Sequence, residues 1–442
     1  MMRAKNLLKT NKLPIVDLIA KKREGEEFSN EDIRVLVDAM MHQQILPEQL
    51  AAMIMAIYFR GLSAQETSIL TDEVILSGEV MDLTRISAAK VGFRSIGGLG
   101  DKCALVLAPL VASCGVIVPM MVEENEQWVS NDLLKLCSIP GFKAVLPMKD
   151  CLQQLKKVGC CFCWQPKQVV PVDQVLSKIR ETTATQASVP LTASSILSRL
   201  LSTGAENVVM NIQYAGWMFN EESGKQLASL MTRVMHSLKH RCVVLATNIQ
   251  QPLGDSVGTF LEIKEVLELL QGKGDEHLRE LIVKLAMEMV RLSGVCGSTL
   301  SAKKMVTEHL ANGSALEKFK AMVKAQGGNI AYLEHPEKFP KAKHVRKIQV
   351  SKRGYVHSVN IGLLKKGIEA LLQPDASGKV DPTAGLTHTL KAGMQIIPGD
   401  ALMEVHYNDP SRFEAAVEYF RSAYCLAPKR PACSDLLIER FA

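Results

Sequence analysis

Residues 93–101 read F-R-S-I-G-G-L-G-D, and the chain continues K-C-A-L-V-L-A-P-L-V-A-S-C-G to residue 115. Glycines that open an apolar helix are where a chain commonly cradles a phosphate, because free backbone N–H groups point outward and the helix dipole favours an anion. Just beyond lies V-I-V-P-M-M-V at 116–122, a short apolar strand, and then E-E-N-E-Q-W at 123–128. If both loops line one pocket, Glu123, Glu124 and Glu126 face whatever Gly97, Gly98 and Gly100 were shaped to hold.

Working outward, the apolar strands E-N-V-V-M-N-I-Q-Y (206–214) and C-V-V-L-A-T (242–247) alternate with helical stretches. That rhythm predicts an α/β domain with a sheet covered by helices. The first 80 residues instead have helical spacing throughout. Ser29 or Asn30 is placed to cap one helix, Pro47 and Gly61 bracket a second, and Ser63 with Glu66 has capping-box spacing for a third. Two more helices follow at 171–201. After about residue 340 the texture changes to short alternating strands between Gly and Pro turns, which predicts a small α+β module. The expected domains are a helical one from 1–75 with 172–203, an α/β one from 86–165 with 204–335, and a C-terminal α+β one at 345–442.

The chain has 442 residues, 47% hydrophobic and 22% charged, with 52 Lys and Arg against 46 Asp and Glu. The excess of six positive charges is spread out with no basic run, which argues against nucleic acid as a partner. No stretch reaches the ~18 consecutive apolar residues of a membrane span. The N-terminal segment also lacks the apolar run of a secretory signal, so a cytoplasmic protein is expected. Eleven cysteines fit that compartment as reduced thiols. The G-C-C-F-C cluster at 159–163 has neither a second cysteine pair nor nearby histidines, and reads as buried structural thiols. No metal and no cofactor are expected.

Several stretches resemble thymidine phosphorylase and the related pyrimidine-nucleoside phosphorylases over nearly the whole chain. They are I-G-G-L-G-D-K (96–102), L-C-S-I-P-G-F (136–142), G-C-C followed by V-V-P-V-D, R-E-T-T-A-T (180–185), S-V-P-L-T-A-S-S-I-L-S (188–198) and G-M-Q-I-I-P-G-D (393–400). The texture of the N-terminal helices is most similar to the vertebrate members. The resemblance implies a homodimer, a helical domain facing a larger α/β domain across a cleft, and phosphorolysis of thymidine to thymine and 2-deoxyribose 1-phosphate. Such chemistry needs cations, hydroxyls and backbone donors around phosphate, and donors at the carbonyls of the departing pyrimidine.

Matched residue by residue, the loop keeps Asp101 and, as a phosphate-binding remnant, Ser95, Gly97, Gly98 and Gly100. Phe93 stands where the family has a phosphate-binding lysine, and Arg94 where it has the catalytic histidine. Arginine stays protonated and cannot serve as a general acid near neutral pH. Ile96 replaces a threonine; Ala104, Val122 and Asp132 replace phosphate-binding hydroxyls. Glu123, Glu124, Glu126 and Trp128 lie where the family has a glycine-rich stretch. Two like charges about 5 Å apart repel by roughly 3 kcal/mol at an effective dielectric near 20. On the pyrimidine side, the resemblance makes Arg180 and Ser195 the base-binding pair. Arg199 replaces the catalytic lysine, Ser177 a tyrosine and Thr192 an isoleucine. Asn211 and Gln213 replace an aspartate and a lysine, and Trp217 stands where a small residue is expected.

The expected function is therefore a family member whose catalysis is lost or strongly impaired, with a remodelled cleft for a nucleoside or other small molecule. The alternatives are an active thymidine phosphorylase with a rebuilt phosphate site using Arg94, Ser95 and Arg199, and a non-catalytic dimeric scaffold. The anthranilate phosphoribosyltransferases have a related architecture, but their phosphate-rich substrate suits the acidic loop still less.

Overall fold

The computed structural model describes residues 15–96, 98–122, 131–214, 219–248, 251–375, 379–432 and 437–442. In chain order, four helices come first: α1 (Ile15–Arg23), α2 (Asn30–Met41), α3 (Pro47–Arg60) and α4 (Ala64–Leu76). Next are β1 (Val91–Ile96), α5 (Cys103–Ser113), β2 (Val118–Val122), α6 (Asp132–Cys137), α7 (Met148–Val158) and β3 (Cys160–Trp164). Two helices, α8 (Pro171–Thr182) and α9 (Val189–Ser202), lead to β4 (Asn207–Tyr214), α10 (Glu221–Ser237), β5 (Arg241–Asn248) and α11 (Thr259–Leu269). The protein is thus a helical bundle plus a larger region of mixed helices and sheets, as expected.

The chain forms two compact units. The smaller comprises Met1–Val80, Pro166–Ser202 and Ser229–His240; the larger comprises Met81–Gln165, Thr203–Ala228 and Arg241–Ala442. In the smaller unit, α4 packs on α9 and α2, and α1 packs on α3. Ser29 is the N-cap of α2, in a capping box with Asp32, and Pro47 is the first residue of α3. Gly61 closes α3 at φ +74, a conformation that costs an L-residue a Cβ clash. Glu66 does more than its capping-box spacing with Ser63 implies. Its carboxylate also accepts from the Phe28 N–H and pairs with the buried ammonium of Lys22 at 2.6 Å.

In the larger unit, β1, β4 and β5 run parallel, and the final strand Leu437–Phe441 adds antiparallel to β5. β2 pairs with β3 in parallel, and a single bridge from Lys90 to Ile117 joins that pair to β1. β4 is buried along its whole length, its apolar Val208, Val209, Met210 and Ile212 interrupted by the polar Asn211 and Gln213. α5 is almost wholly buried too, and the helices Glu276–Ser293, Thr299–Ala311 and Ser314–Ala325 pack around it. The C-terminal part builds two small three-stranded sheets with the helices Ile361–Leu371 and Pro410–Ser422. Leu99 and Val257 join the apolar core of that part, so the glycine turn is pinned through its own leucine. Among the described residues, no helix is long and apolar enough to cross a membrane.

Candidate functional site

The glycine turn sits at the carboxyl ends of parallel strands, where open α/β sheets receive their ligands. β1 pairs with β4 so that Ser95 faces Asn211, and β4 pairs with β5 so that Gln213 faces Thr247. Side chains at alternate positions share a face, so these four polar groups form one strip across three strands. Thr247 Oγ1 donates to Asn211 Oδ1 (2.8 Å), and Asn211 Nδ2 donates to Ser95 Oγ (3.2 Å). Gln213 Nε2 donates to both Ser95 Oγ (3.0 Å) and Asp101 Oδ2 (2.7 Å).

The polarity of Gln213 follows from these partners. A carboxylate only accepts, so the atom facing Asp101 must be the amide nitrogen. The amide oxygen Oε1 is then turned toward the glycine turn: a Cβ on Gly98 would lie 1.9 Å from it. This oxygen is buried and has no hydrogen-bond partner among the described residues. Gly100 has φ +70 and room for no side chain, since a Cβ there would meet the Leu253 carbonyl at 2.9 Å. The glycines therefore fit the protein's own groups closely.

Three of the residues that the resemblance sets at phosphate-binding positions are turned into the core. Phe93 is 1% exposed, and with Ala104 and Val122 it belongs to the main apolar cluster. Arg94 is half-buried on the other face of β1. Beneath the turn lies a buried charge network that sequence spacing did not reveal. Lys102 Nζ donates to the carbonyls of Leu253 (2.8 Å) and Ser256 (3.1 Å) and to Glu265 Oε2 (3.0 Å). Burial works against the Glu265 carboxylate, but Lys102, the Ser256 hydroxyl and the Asp255 N–H outweigh it and lower its pKa. Lys135 Nζ reaches Glu262 at 2.8 Å, the Asp101 carbonyl at 2.5 Å and Asp132 at 3.4 Å. Burial opposes the Lys135 charge too, yet Glu262 and Asp132 raise its pKa and hold it ammonium.

In the smaller unit, the structure brings the predicted residues of α8 and α9 together in pairs. Arg180 is buried and donates to Thr192 Oγ1 (2.6 Å), the Gln186 carbonyl (2.9 Å) and, weakly, the Leu191 carbonyl (3.4 Å). Ser195 lies one turn before Arg199 and is also buried. Arg199 Nε pairs with Asp173 at 2.5 Å and its Nη2 donates to Ser177 Oγ at 2.8 Å. Sequence reasoning missed Asp173, an acid in the first turn of α8 whose partner is 26 residues away. Gly97, the loop with Glu123, Glu124, Glu126 and Trp128, and Trp217 lie outside the described residues.

Residues 16–78 match the glycosyl transferase family's helical bundle domain, and residues 88–316 match its a/b domain. The chain is 32% identical to the pyrimidine-nucleoside phosphorylase of Geobacillus stearothermophilus over 398 residues, covering 89% of this chain and 92% of that protein. It is 32% identical to the enzyme of the same name from Staphylococcus haemolyticus over 399 residues, with the same coverage. The glycosyl transferase fold and its site therefore define the class, and within it this chain belongs to the thymidine/pyrimidine-nucleoside phosphorylase family. Anthranilate phosphoribosyltransferase from Thermus thermophilus shares the fold, with a TM-score of 0.57 at 16% identity, covering 70% of this chain and 99% of that one.

Proposed function

We propose that this chain is a phosphorylase-family protein whose phosphorolysis of thymidine is absent or strongly impaired, and whose remodelled site takes at most a nucleoside or another small molecule. The observation that carries this is the Gln213 amide. It places an acceptor against Gly98 where a phosphate would need a donor, and it spends its own N–H groups on Ser95 and Asp101. Ser95 Oγ already accepts two N–H groups, which leaves it a single O–H to offer. Each missing donor or cation costs about 2–4 kcal/mol of transition-state stabilisation. With Phe93, Ala104 and Val122 packed in the core, the deficit exceeds what Arg94 alone could restore.

The pyrimidine side supports the same reading. The Thr192 hydroxyl draws the Arg180 guanidinium toward α9, and Asp173 holds the Arg199 fork. An active enzyme using Arg199 as a phosphate donor would have to do so with two of its nitrogens already engaged by Asp173 and Ser177. The homodimer implied by the family remains part of the proposal and is measured by light scattering at micromolar concentration.

The test is release of thymine from thymidine in phosphate buffer. No turnover above background is expected, and inorganic phosphate should leave the melting temperature unchanged, since only a ligand bound by the native state raises it. Robust turnover that disappears in Arg180→Ala would overturn the proposal.

A further inference from the structure

The face of β3 turned away from the main core carries a feature that phosphorolysis does not use. Cys160 and Phe162 enter the main apolar cluster, whereas Cys161 and Cys163 alternate to the other side, against α7. α7 brings Cys151 to meet them. All three thiols are buried, and their sulfurs lie within 4.8 Å of one another. Met81, Leu83, Ile117 and Leu155 close around the trio, and the partly buried Met121 and Met148 pack against it.

We propose that Cys151, Cys161 and Cys163 form a binding site for a soft monovalent cation, Cu(I). With metal–sulfur bonds of about 2.3 Å, the sulfurs of a trigonal site stand ~4.0 Å apart, inside the observed spread. Thiolate and thioether ligands select soft ions, and Met121 and Met148 are among the side chains packed against the cluster that holds the trio. Structural zinc takes four ligands in a closed tetrahedron; three sulfurs in an apolar, water-excluding pocket suit a lower coordination number. No carboxylate or imidazole joins this cluster among the described residues, so the set offers nothing to a hard cation. Binding releases one proton to solvent for each thiol that ligates as thiolate, and no electron changes hands. The sequence could not show this site, because Cys151 lies outside the G-C-C-F-C cluster and reaches it only through the packing of α7 on β3.

The test uses the full chain, reduced and free of oxygen, with Cu(I) added against bicinchoninate and Zn(II) against a chromophoric chelator. The wild type should hold about one Cu(I) per chain, bind it in preference to Zn(II), and melt at a higher temperature once loaded. X-ray absorption on the loaded wild type should show a shell of sulfur only, at about 2.3 Å. Cys161→Ala should weaken Cu(I) binding by at least about tenfold, and Cys151→Ala with Cys163→Ala should abolish it. Removing the exposed thiols by Cys137→Ser and Cys425→Ser should leave it intact. No copper held against the competitor, undiminished copper in the double alanine variant, oxygen or nitrogen in the metal's shell, or firmer binding of Zn(II) would each overturn the proposal. The wild-type absorption and melting measurements decide the matter even where an alanine variant fails to fold.

Discussion

Asp132 is the first residue of α6, and the resemblance puts a phosphate-binding hydroxyl at its position. Its carboxyl lies 3.4 Å from Lys135, but that ammonium sits closer to Glu262 and to the Asp101 carbonyl. Burial pushes the Asp132 pKa from 3.8 up to about 7; Lys135 pulls it down, and Asp101 and Glu262 push it further up. The unfolded chain has no such environment. Between the two values the native state therefore holds a proton that the unfolded state has lost, and stability falls as pH rises through that window. At about 1.36 kcal/mol per unit, the rise amounts to a ceiling of about 4 kcal/mol. The helix N-terminus favours the carboxylate and trims that figure.

Asp132→Asn keeps the shape and removes the titration. Its advantage over the wild type should grow by about 2 kcal/mol between about pH 5.5 and about pH 8, the part of the window that lies above pH 5.5. Urea unfolding followed by circular dichroism at both pH values measures this through the shift in midpoint. The same advantage at both pH values, or one that shrinks as pH rises, would refute the reasoning.

Lys102→Met should destabilise by about 3–5 kcal/mol in urea, because it strands the Glu265 carboxylate in the interior; adding Glu265→Gln should recover part of that loss. Thr192→Val should cost about 1–3 kcal/mol by removing the Arg180 hydroxyl partner, read as a lowered melting temperature with an unchanged far-ultraviolet spectrum. Gly98→Ala should destabilise by about 1–3 kcal/mol through its clash with Gln213 Oε1, and Gln213→Ala in the same chain should relieve it. Equal costs with and without Gln213 would show that the amide does not fill the glycine turn.

How much was legible in the sequence depended on the separation of the partners. The capping signals at Ser29, Pro47 and Ser63 act within one helical turn, and the structure has them where the spacing predicted. The strands β2, β4 and β5 announced themselves as apolar runs because both faces are covered. The resemblance pointed to Arg180, Ser195 and Arg199 as site residues but could not say which way their side chains turn. In the structure Arg180 donates to the Thr192 hydroxyl and two carbonyls, and Arg199 pairs with Asp173. The Lys102–Glu265 and Gln213–Asp101 contacts span 163 and 112 residues, and no local period encodes them.

Those distant contacts also bear on how the site changed. In the matching that the resemblance implies, a lysine gives way to the larger Arg199 and a nearby tyrosine to Ser177, and the two now share a hydrogen bond of 2.8 Å. Where its isoleucine gives way to Thr192, the new hydroxyl engages Arg180. Where an aspartate and a lysine give way to Asn211 and Gln213, the two amides bond to Ser95 and extend the strip to Thr247 and Asp101. A buried polar group left without a partner costs about 1–3 kcal/mol, so unrepaired losses at three places would consume much of a domain's marginal stability. Instead, the Ser177 and Thr192 hydroxyls, the Asn211 amide and the Gln213 N–H groups each meet a partner within their own unit, and the Gln213 oxygen is left facing the glycine turn. On the function proposed above, the pattern is that of a site rebuilt to serve the fold, with groups suited to gripping a substrate now gripping one another. That is why restoring Arg94→His or Phe93→Lys alone should yield no turnover: the Gln213 amide and the Asp173 carboxylate would still hold the remaining ligands inward. Adding Gln213→Lys and Arg199→Lys to those two changes, together with the family's loop at 122–132, removes both restraints, and measurable thymine release from that combined variant alone is the outcome this account requires.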